Sequence, residues 1–479
     1  MSSASSIVAS DRDAYFDDPK ERRRRHHEAD VLIVGAGIAG CALAVAFGKQ
    51  GRSVLLLEKS LKEPDRIVGE LLQPGGVQAL EQLGLRDCLE GIDAIIVKGY
   101  DVIFHGKHVQ IPYPTDGSSP APEGRSFHHG RFIMKLREAA MANPNVSVVE
   151  TTATSLITSS HTKEVLGVDC ISGGSRDCFF ADLTVIADGY ASKFRREHHP
   201  YTPRVKSKFW GLELIDAELP VPYHGHVVLS DSPPVLLYQI GKHETRALVD
   251  VPENLSAASV KVGGVKGYLR NTVLPSLPRS VQPSFHAAIE RGALRSMPNS
   301  FLPPTTNKTL GLIILGDALN MRHPLTGGGM TVAFNDVVVL RDLLSPEKVP
   351  SFADTKLVMK QMYSFHWERK RFASVINILA QSLYSVFCAD DPNLRVLQRG
   401  CFQYFQLGRI EGPIGLLAGL VKEPLVLFWH FCSVAFLSIW CLFAEAPFHQ
   451  LPVVVLRSIS VFWTACIVIV PYMLSEMKR

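Results

Sequence analysis

"DVLIVGAGIAGCALAVAFGKQG", residues 30–51, and the "RSVLLLEKS" that follows it, residues 52–60, decide how this chain folds. Residues 31–48 carry no charge over eighteen positions, the length of a membrane span. The glycine spacing argues for something else. Gly35, Gly37 and Gly40 make G-x-G-x-x-G between a strand-like run, residues 31–34, and an Ala-rich helical run. A second apolar strand then ends in Glu58, eighteen residues beyond Gly40. Strand, glycine turn, helix, strand and terminal acid form one βαβ unit, and that context turns a weak motif into a strong one. Gly35 permits the tight turn, Gly37 keeps side chains out of the way of a pyrophosphate, and Gly40 lets helix and strand pack closely. The helix mouth offers free N–H groups to phosphate, and Glu58 can accept from a ribose diol. The expected ligand is an adenosine dinucleotide.

A later stretch narrows the ligand. "GLIILGDALNMRHPLTGGGMTVAFNDVVVLRDLL", residues 311–344, begins with a short buried-strand run and reaches Asp317. Gly327, Gly328 and Gly329 then open a helix whose apolar residues recur at Met330, Ala333, Phe334, Val337, Leu340 and Leu344. Asp317 at a strand tip suits the hydroxyls of a polyol chain. A second helix mouth favours negative charge, such as that on a reduced flavin ring. Two helix mouths and two acids on one long ligand point to FAD rather than NAD. There is no second G-x-G-x-x-G and hence no separate nicotinamide domain, so electrons are expected from a docked cofactor or a partner reductase.

The rest of the chain supplies the frame. Residues 100–113 read as a hairpin turning near Gly106, residues 130–142 as a helix, and residues 183–186 as a buried strand before Asp188. Residues 227–252 read as antiparallel strands. The fold class expected is α/β: an FAD-binding Rossmann-like domain interleaved with a β-rich substrate domain, followed by C-terminal membrane-associated helices. The boundaries read as a disordered basic tail (1–29), an FAD-binding domain (30–100, 125–200 and 305–350), a substrate-binding sheet domain (101–124 and 201–304), a helical cover (351–412) and the C-terminal helices (413–479). Mean hydropathy is +0.11, and two runs at the end account for it. Residues 424–443 carry no formal charge and would span about 30 Å as a helix; residues 451–474 contain Arg457 and Pro471. A spanning hairpin and a pair of helices lying in one leaflet both fit this pattern, and either brings the chain to membrane lipid.

Composition excludes other classes. A net charge of +4 gives no argument for nucleic acid. Nine scattered cysteines with no Cys-x-x-Cys make neither a disulfide framework nor a zinc site, and fit a reducing compartment. His105-x-x-His108 and His128-His129 come with no carboxylate at metal spacing, so no metal centre is expected. Lys208, Arg369, Lys370 and Arg371 read as charged surface, and the basic run at residues 22–27 as a solvated tail.

The motifs "VGAGIAG", "LKEPDRIVGELLQPGG", "HHGRFIM", "ADGYASKFR", "LRSMPNSFLPP" and "GDALNMRHPLTGGGMTVAFND" resemble those of the squalene monooxygenase (squalene epoxidase) family, from about residue 30 to the C-terminus. That family belongs to the FAD-dependent monooxygenases shaped like aromatic hydroxylases. The resemblance implies epoxidation of squalene to (S)-2,3-oxidosqualene with O₂, FAD and electrons from NADPH through cytochrome P450 reductase. It implies a place on the endoplasmic reticulum membrane, sometimes on lipid droplets, in sterol synthesis. It puts FAD contacts at Ile38, Ala39, Glu58, Lys59, Arg66, Leu71, Arg137, Ala153, Asp317 and Met330, and an active-site tyrosine at Tyr100. Squalene has no polar group, so its recognition rests on apolar area. Tyr238 in "LLYQIG" and the Leu/Phe-rich helices after Arg371 are the expected pocket wall. Two other readings share the architecture: a flavin-dependent hydroxylase or reductase acting on other isoprenoids or quinones, and a prenyl-binding protein without catalysis.

Overall fold

The computed structural model describes residues 27–115, 117 and 121–477. One seven-stranded sheet runs in the order Val146–Glu150, Val54–Glu58, Glu28–Val34, Ser175–Ile186, Val165–Ser172, Thr152–Thr158, with Leu312–Ile314 beside the end of Ser175–Ile186. The strands around Glu28–Val34 pair in parallel, and the last two pair antiparallel. Parallel strands need both faces covered, which is why "VLIV", residues 31–34, and "VLLL", residues 54–57, are apolar without alternation. The helix Ile38–Lys49 is buried from Ala39 to Gly48, packed against the helices His129–Met141 and Gly329–Leu343. Its uncharged length reflects burial inside protein.

The first strand begins earlier than expected. Residues 1–26, with nearly all of the basic run, lie outside the described residues, but Glu28 and Ala29 already pair with Phe180 and Ala181. The twelve-residue strand Ser175–Ile186 supplies a ladder long enough to order them.

A second seven-stranded sheet has the order Arg295–Phe301, Arg204–Ile215, Glu244–Pro252, Val235–Gln239, His224–Leu229, Gly99–Phe104, Lys107–Pro112. Every pair is antiparallel except His224–Leu229 with Gly99–Phe104. Strand period two divides its residues between two cores. Tyr100, Val102, Val227, Leu236, Tyr238 and Leu248 join one with Leu71 and Leu325. Ile103, Val228, Val235, Ala247 and Val249 join the other, with Phe285 and Ile289 of the helix Gln282–Arg291. The hairpin turns at His105 and Gly106, both at positive φ (46° and 79°), as a two-residue turn requires. Tyr100 belongs to this second sheet, because its strand starts at Gly99, before the expected boundary at residue 101. A small sheet of Leu71–Leu72, Gly124–Ser126 and Ile95–Val97 completes the β-structure of the described residues.

The C-terminal third is helical: Thr355–Cys388, Pro392–Gln406 bent from it by 110°, Glu411–Leu417, Pro424–Glu445 and Leu451–Met477. By length and composition, Pro424–Glu445 and Phe448–Met477 can each cross a membrane. Leu427, Ala435, Val461 and Ala465 face the protein, while Trp429, Phe436, Trp440, Leu456 and Trp463 are exposed. Two charges of the expected surface set are instead buried. Arg369 forms a bidentate pair with Asp336 at 2.9 and 2.8 Å, and Lys370 donates to the Glu476 carbonyl, whereas Lys208 and Arg371 are exposed. Helical period sets this: positions 362, 365, 366, 369 and 373 form the buried stripe of Thr355–Cys388.

Candidate functional site

One cleft joins the two glycine clusters. Its wall includes Gly35, Gly37, Ile38, Ala39, Glu58 and Lys59, then Arg66, Asp317, Gly327, Gly329 and Met330, and finally Leu71, Tyr100, Leu236 and Tyr238. Three expected residues stand outside that wall: Gly40, Arg137 and Ala153.

The local reasons differ by position. Gly35 has φ +106°, and a Cβ there would lie 2.6 Å from the Ala187 carbonyl oxygen. At Gly40 a Cβ would lie 1.9 Å from the Gly35 carbonyl oxygen, so Gly40 sets helix-to-turn packing from behind the wall. At Gly37 a Cβ would meet nothing within 4 Å, and the same is true of Gly329. Gly37 is the N-cap of Ile38–Lys49 and Gly329 the first residue of Gly329–Leu343. Both helix mouths therefore leave space on the cleft side, where backbone N–H groups have no intrahelical partner.

Glu58 is tied to the turn. Its Oε2 accepts from the Ala36 N–H at 2.8 Å and lies 3.6 Å from Arg137 Nη2. Arg137 is a buried buttress: Nε donates to the Ala36 carbonyl at 3.0 Å and Nη1 to that of Lys62 at 3.1 Å. Ala153 is buried on Thr152–Thr158, two residues past Thr151, whose N–H donates to the Glu58 carbonyl at 2.8 Å. Asp317 sits in a short 3₁₀ turn, Gly316–Ala318, with Oδ2 3.8 Å from Arg66 Nη2.

The far end of the cleft holds residues the sequence did not single out. Gln73 Nε2 donates to the Tyr100 hydroxyl at 2.5 Å and to the Thr326 carbonyl at 2.7 Å, and the Tyr113 hydroxyl donates to Gln73 Oε1 at 2.7 Å. Burial pushes Tyr100 up to about 12, so it stays protonated. Tyr238 donates to Glu70 Oε2 at 3.2 Å, and Arg246 grips the same carboxylate with Nε at 2.9 Å and Nη2 at 2.9 Å. His129 lies against the Gly69 carbonyl at 2.8 Å, and burial lowers it to about 4, so it orients the chain as a neutral ring. His108 pairs with the buried Asp101 at 2.8 Å. Among the described residues no group of His, Cys, Asp and Glu is placed to hold a metal ion.

The helices after Arg371 stand one layer behind the expected pocket wall. Tyr384 stacks on His323 at 3.7 Å between centroids and donates to the buried Asp250 at 3.0 Å. Asp250 also accepts from Ser207 at 2.5 Å and Asn299 at 2.9 Å. Burial raises Asp250 from 3.8 to about 6. The folded state then holds this proton more tightly than the unfolded chain does. Stability is fully present below the ordinary carboxylate value and is lost as pH rises from about 4 to about 6, by up to about 3 kcal/mol. Asp250→Asn should flatten that part of the stability-against-pH curve, measured by denaturant titration at pH 4.5 and 7; an unchanged slope contradicts the assignment.

The residues fit a bound FAD on grounds internal to this chain. Two helix mouths open on one groove, and four buried polar atoms of residues in its wall, Arg66 Nε, Asp188 Oδ1, His226 Nδ1 and Arg322 Nε, have no hydrogen-bond partner. A long ligand carrying both acceptors and donors accounts for such atoms, which otherwise cost stability.

Comparison with known proteins agrees. A squalene epoxidase family model matches residues 180–456, and an FAD binding domain model matches residues 28–221. The chain is 70% identical over 463 residues to a squalene epoxidase of Aspergillus fumigatus, covering 96% of each. It is 43% identical to the squalene monooxygenase of Mus musculus, over 94% of this chain and 78% of that one. Among solved structures, p-nitrophenol 4-monooxygenase PnpA from Pseudomonas putida aligns with TM-score 0.67 at 17% identity, over 82% of this chain and 98% of that one. PqsL of Pseudomonas aeruginosa aligns with TM-score 0.60 at 19% identity, over 81% and 99%. With its open helix mouths on one groove and these relatives along nearly its whole length, the chain belongs to the squalene epoxidase family of FAD-dependent monooxygenases.

Proposed function

We propose that this chain epoxidises a terminal double bond of squalene to (S)-2,3-oxidosqualene with O₂, in sterol synthesis, using electrons from NADPH delivered by a cytochrome P450 reductase. Squalene, O₂, NADPH and a proton give the epoxide, water and NADP⁺. The site of action is the endoplasmic reticulum membrane facing the cytosol, with lipid droplets as a second location. One observation carries the reading: the cleft that joins both glycine mouths ends in the apolar core of Leu71, Tyr100, Leu236 and Tyr238, and that core continues into Ala435, Val461 and Ala465 of the two helices able to cross a membrane.

FAD, when bound, supplies the redox chemistry that reduces O₂ and passes one oxygen atom to an alkene. The chain supplies position and dryness. Gly37, Ile38 and Ala39 would hold its pyrophosphate, Glu58 and Lys59 its adenosine ribose, Arg66 and Asp317 its polyol chain, and Leu71 and Met330 its ring end, while Arg137 and Ala153 would brace the adenosine end from behind. No strong acid or base is needed beside the alkene, only exclusion of water and placement of its terminal carbons. Substrate affinity comes from apolar burial, at about 25 cal/mol per Å².

Tyr100→Phe removes the acceptor that Gln73 shares with the Thr326 carbonyl. It should lower kcat by roughly 5- to 100-fold while FAD affinity stays near wild type. Steady-state rates together with FAD fluorescence titration check this; an unchanged kcat removes Tyr100 from the site. The reading as a whole is tested with detergent-solubilised protein, FAD, P450 reductase, NADPH and squalene, the product identified by mass. A gain of one oxygen atom supports it. A saturated product points instead to a reductase, and a protein that takes up no flavin points to a binding role.

A further inference from the structure

The last turn of the C-terminal helix carries a carboxylate in an unfavourable place. Glu476 is 6% exposed and stands at the end of Leu451–Met477, where the helix already bears partial negative charge. A buried glutamate there needs cations and donors brought to it. Lys370 donates to the Glu476 carbonyl and so caps the helix end. Asn377 Nδ2 donates to Glu476 Oε1 at 2.8 Å, while Glu476 Oε2 is buried with no hydrogen-bond partner. Lys370 and Asn377 stand at i and i+7 on one face of Thr355–Cys388.

From Glu476 the contacts lead to the cleft. The same Asn377 Nδ2 donates to Asn320 Oδ1 at 3.1 Å, and that oxygen also accepts from Arg322 Nη2 at 2.6 Å and Arg369 Nη2 at 3.4 Å. Asn320 is fully buried, and its own amide donates to the Leu302 carbonyl at 2.7 Å, which fixes it. Arg322 forms part of the cleft wall, with its Nη1 3.5 Å from the Gly329 carbonyl. Glu476 itself is not in that wall. Charge makes the same link. Three acids act on the charge of Arg322: Asp317, Asp336 and Glu476. Asp336 is held by the Arg369 fork, and Asp317 faces Arg66. Glu476 is the one of the three that no arginine grips. A buried guanidinium is costly without a compensating charge, and Glu476 supplies one from behind the wall.

We propose that Glu476 is a positioning residue of the cofactor cleft: through Asn377 and Asn320 it holds the Arg322 side chain at the ring end, and its charge offsets that of Arg322. This rests on the FAD reading above. It makes the end of a helix able to cross a membrane a working part of the flavin site as well as an anchor.

Glu476→Gln keeps an acceptor for Asn377 and removes only the charge. With Arg322 less offset, the ring takes up electrons more readily. In the full chain, FAD-loaded in detergent, the variant should raise the preference for reduced over oxidised flavin by roughly tenfold, about 30 mV in the two-electron midpoint potential. Glu476→Asp, which keeps the charge, should bring the potential back toward the wild-type value. Dye-equilibrated reduction reads the potential, and a thermal melt beside it reports folding. An unchanged or lowered potential in FAD-loaded Glu476→Gln overturns the proposal. A second measurement needs no variant. Coupling between two sites is reciprocal, so FAD must stabilise the turn that positions its ring. Hydrogen exchange of residues 470–477 in the wild-type chain should slow by roughly threefold or more when FAD is added in detergent. Exchange that FAD leaves unchanged overturns the proposal even if Glu476→Gln does not fold. Wild-type protein that takes up no FAD at all would fail the FAD reading itself, a result distinct from either of these.

Discussion

Gly37→Val should fold as the wild type does and lose its FAD. A Cβ at this position meets no atom within 4 Å, and its backbone, φ −92° and ψ −161°, is a conformation that valine adopts readily. The added Cβ therefore makes no clash with the protein alone. It does put two methyl groups at the mouth of Ile38–Lys49, where a pyrophosphate must approach the backbone N–H groups. Losing that approach should weaken FAD by roughly 100-fold or more. The check is a fluorescence titration of FAD beside a thermal melt of the apoprotein. A near-normal melt with lost FAD supports the assignment; normal FAD affinity removes the Gly37 turn from the cofactor site.

Arg246→Met should produce the largest loss of stability. Glu70 is 1% exposed, and Arg246 supplies two of the donors that satisfy its carboxylate. With the guanidinium gone, only the Tyr238 hydroxyl at 3.2 Å remains on Oε2. An uncompensated buried carboxylate costs about 3–5 kcal/mol. The double variant Glu70→Gln with Arg246→Met leaves no charge behind and should recover more than half of that loss. Denaturant titrations of the four proteins close the cycle. If Arg246→Met alone costs under about 1 kcal/mol, the pair is solvated in solution and does not brace the cleft wall.

What the sequence disclosed was local. The unit from residue 30 to Glu58 was legible because strand, glycine turn and helix follow one another within thirty residues. The hairpin at Gly106 was legible for the same reason. Asp317 and Gly327–Gly329 could be read because each sits where one element ends and the next begins. The Glu70–Arg246 pair spans 176 positions, and Gln73 meets Thr326 across 253, so no periodicity marks them. Gln73 did carry one faint sign, a polar residue placed just before Pro-Gly-Gly, where a helix starts. Arg369 and Lys370 misled because three cations in a row resemble a solvated face. Helical period turns two of them inward, toward Asp336 and the last turn of Leu451–Met477.

One structure would decide the central claim, that a single FAD runs from the Glu58 end of the cleft to the Gly329 mouth. A map of the FAD-loaded, detergent-solubilised protein should show one continuous ligand, with its ribose at Glu58 and its ring between Tyr100, Arg322 and Gly329. A ligand that stops at the Gly37 turn, or that turns its ring away from residues 327–329, contradicts the account.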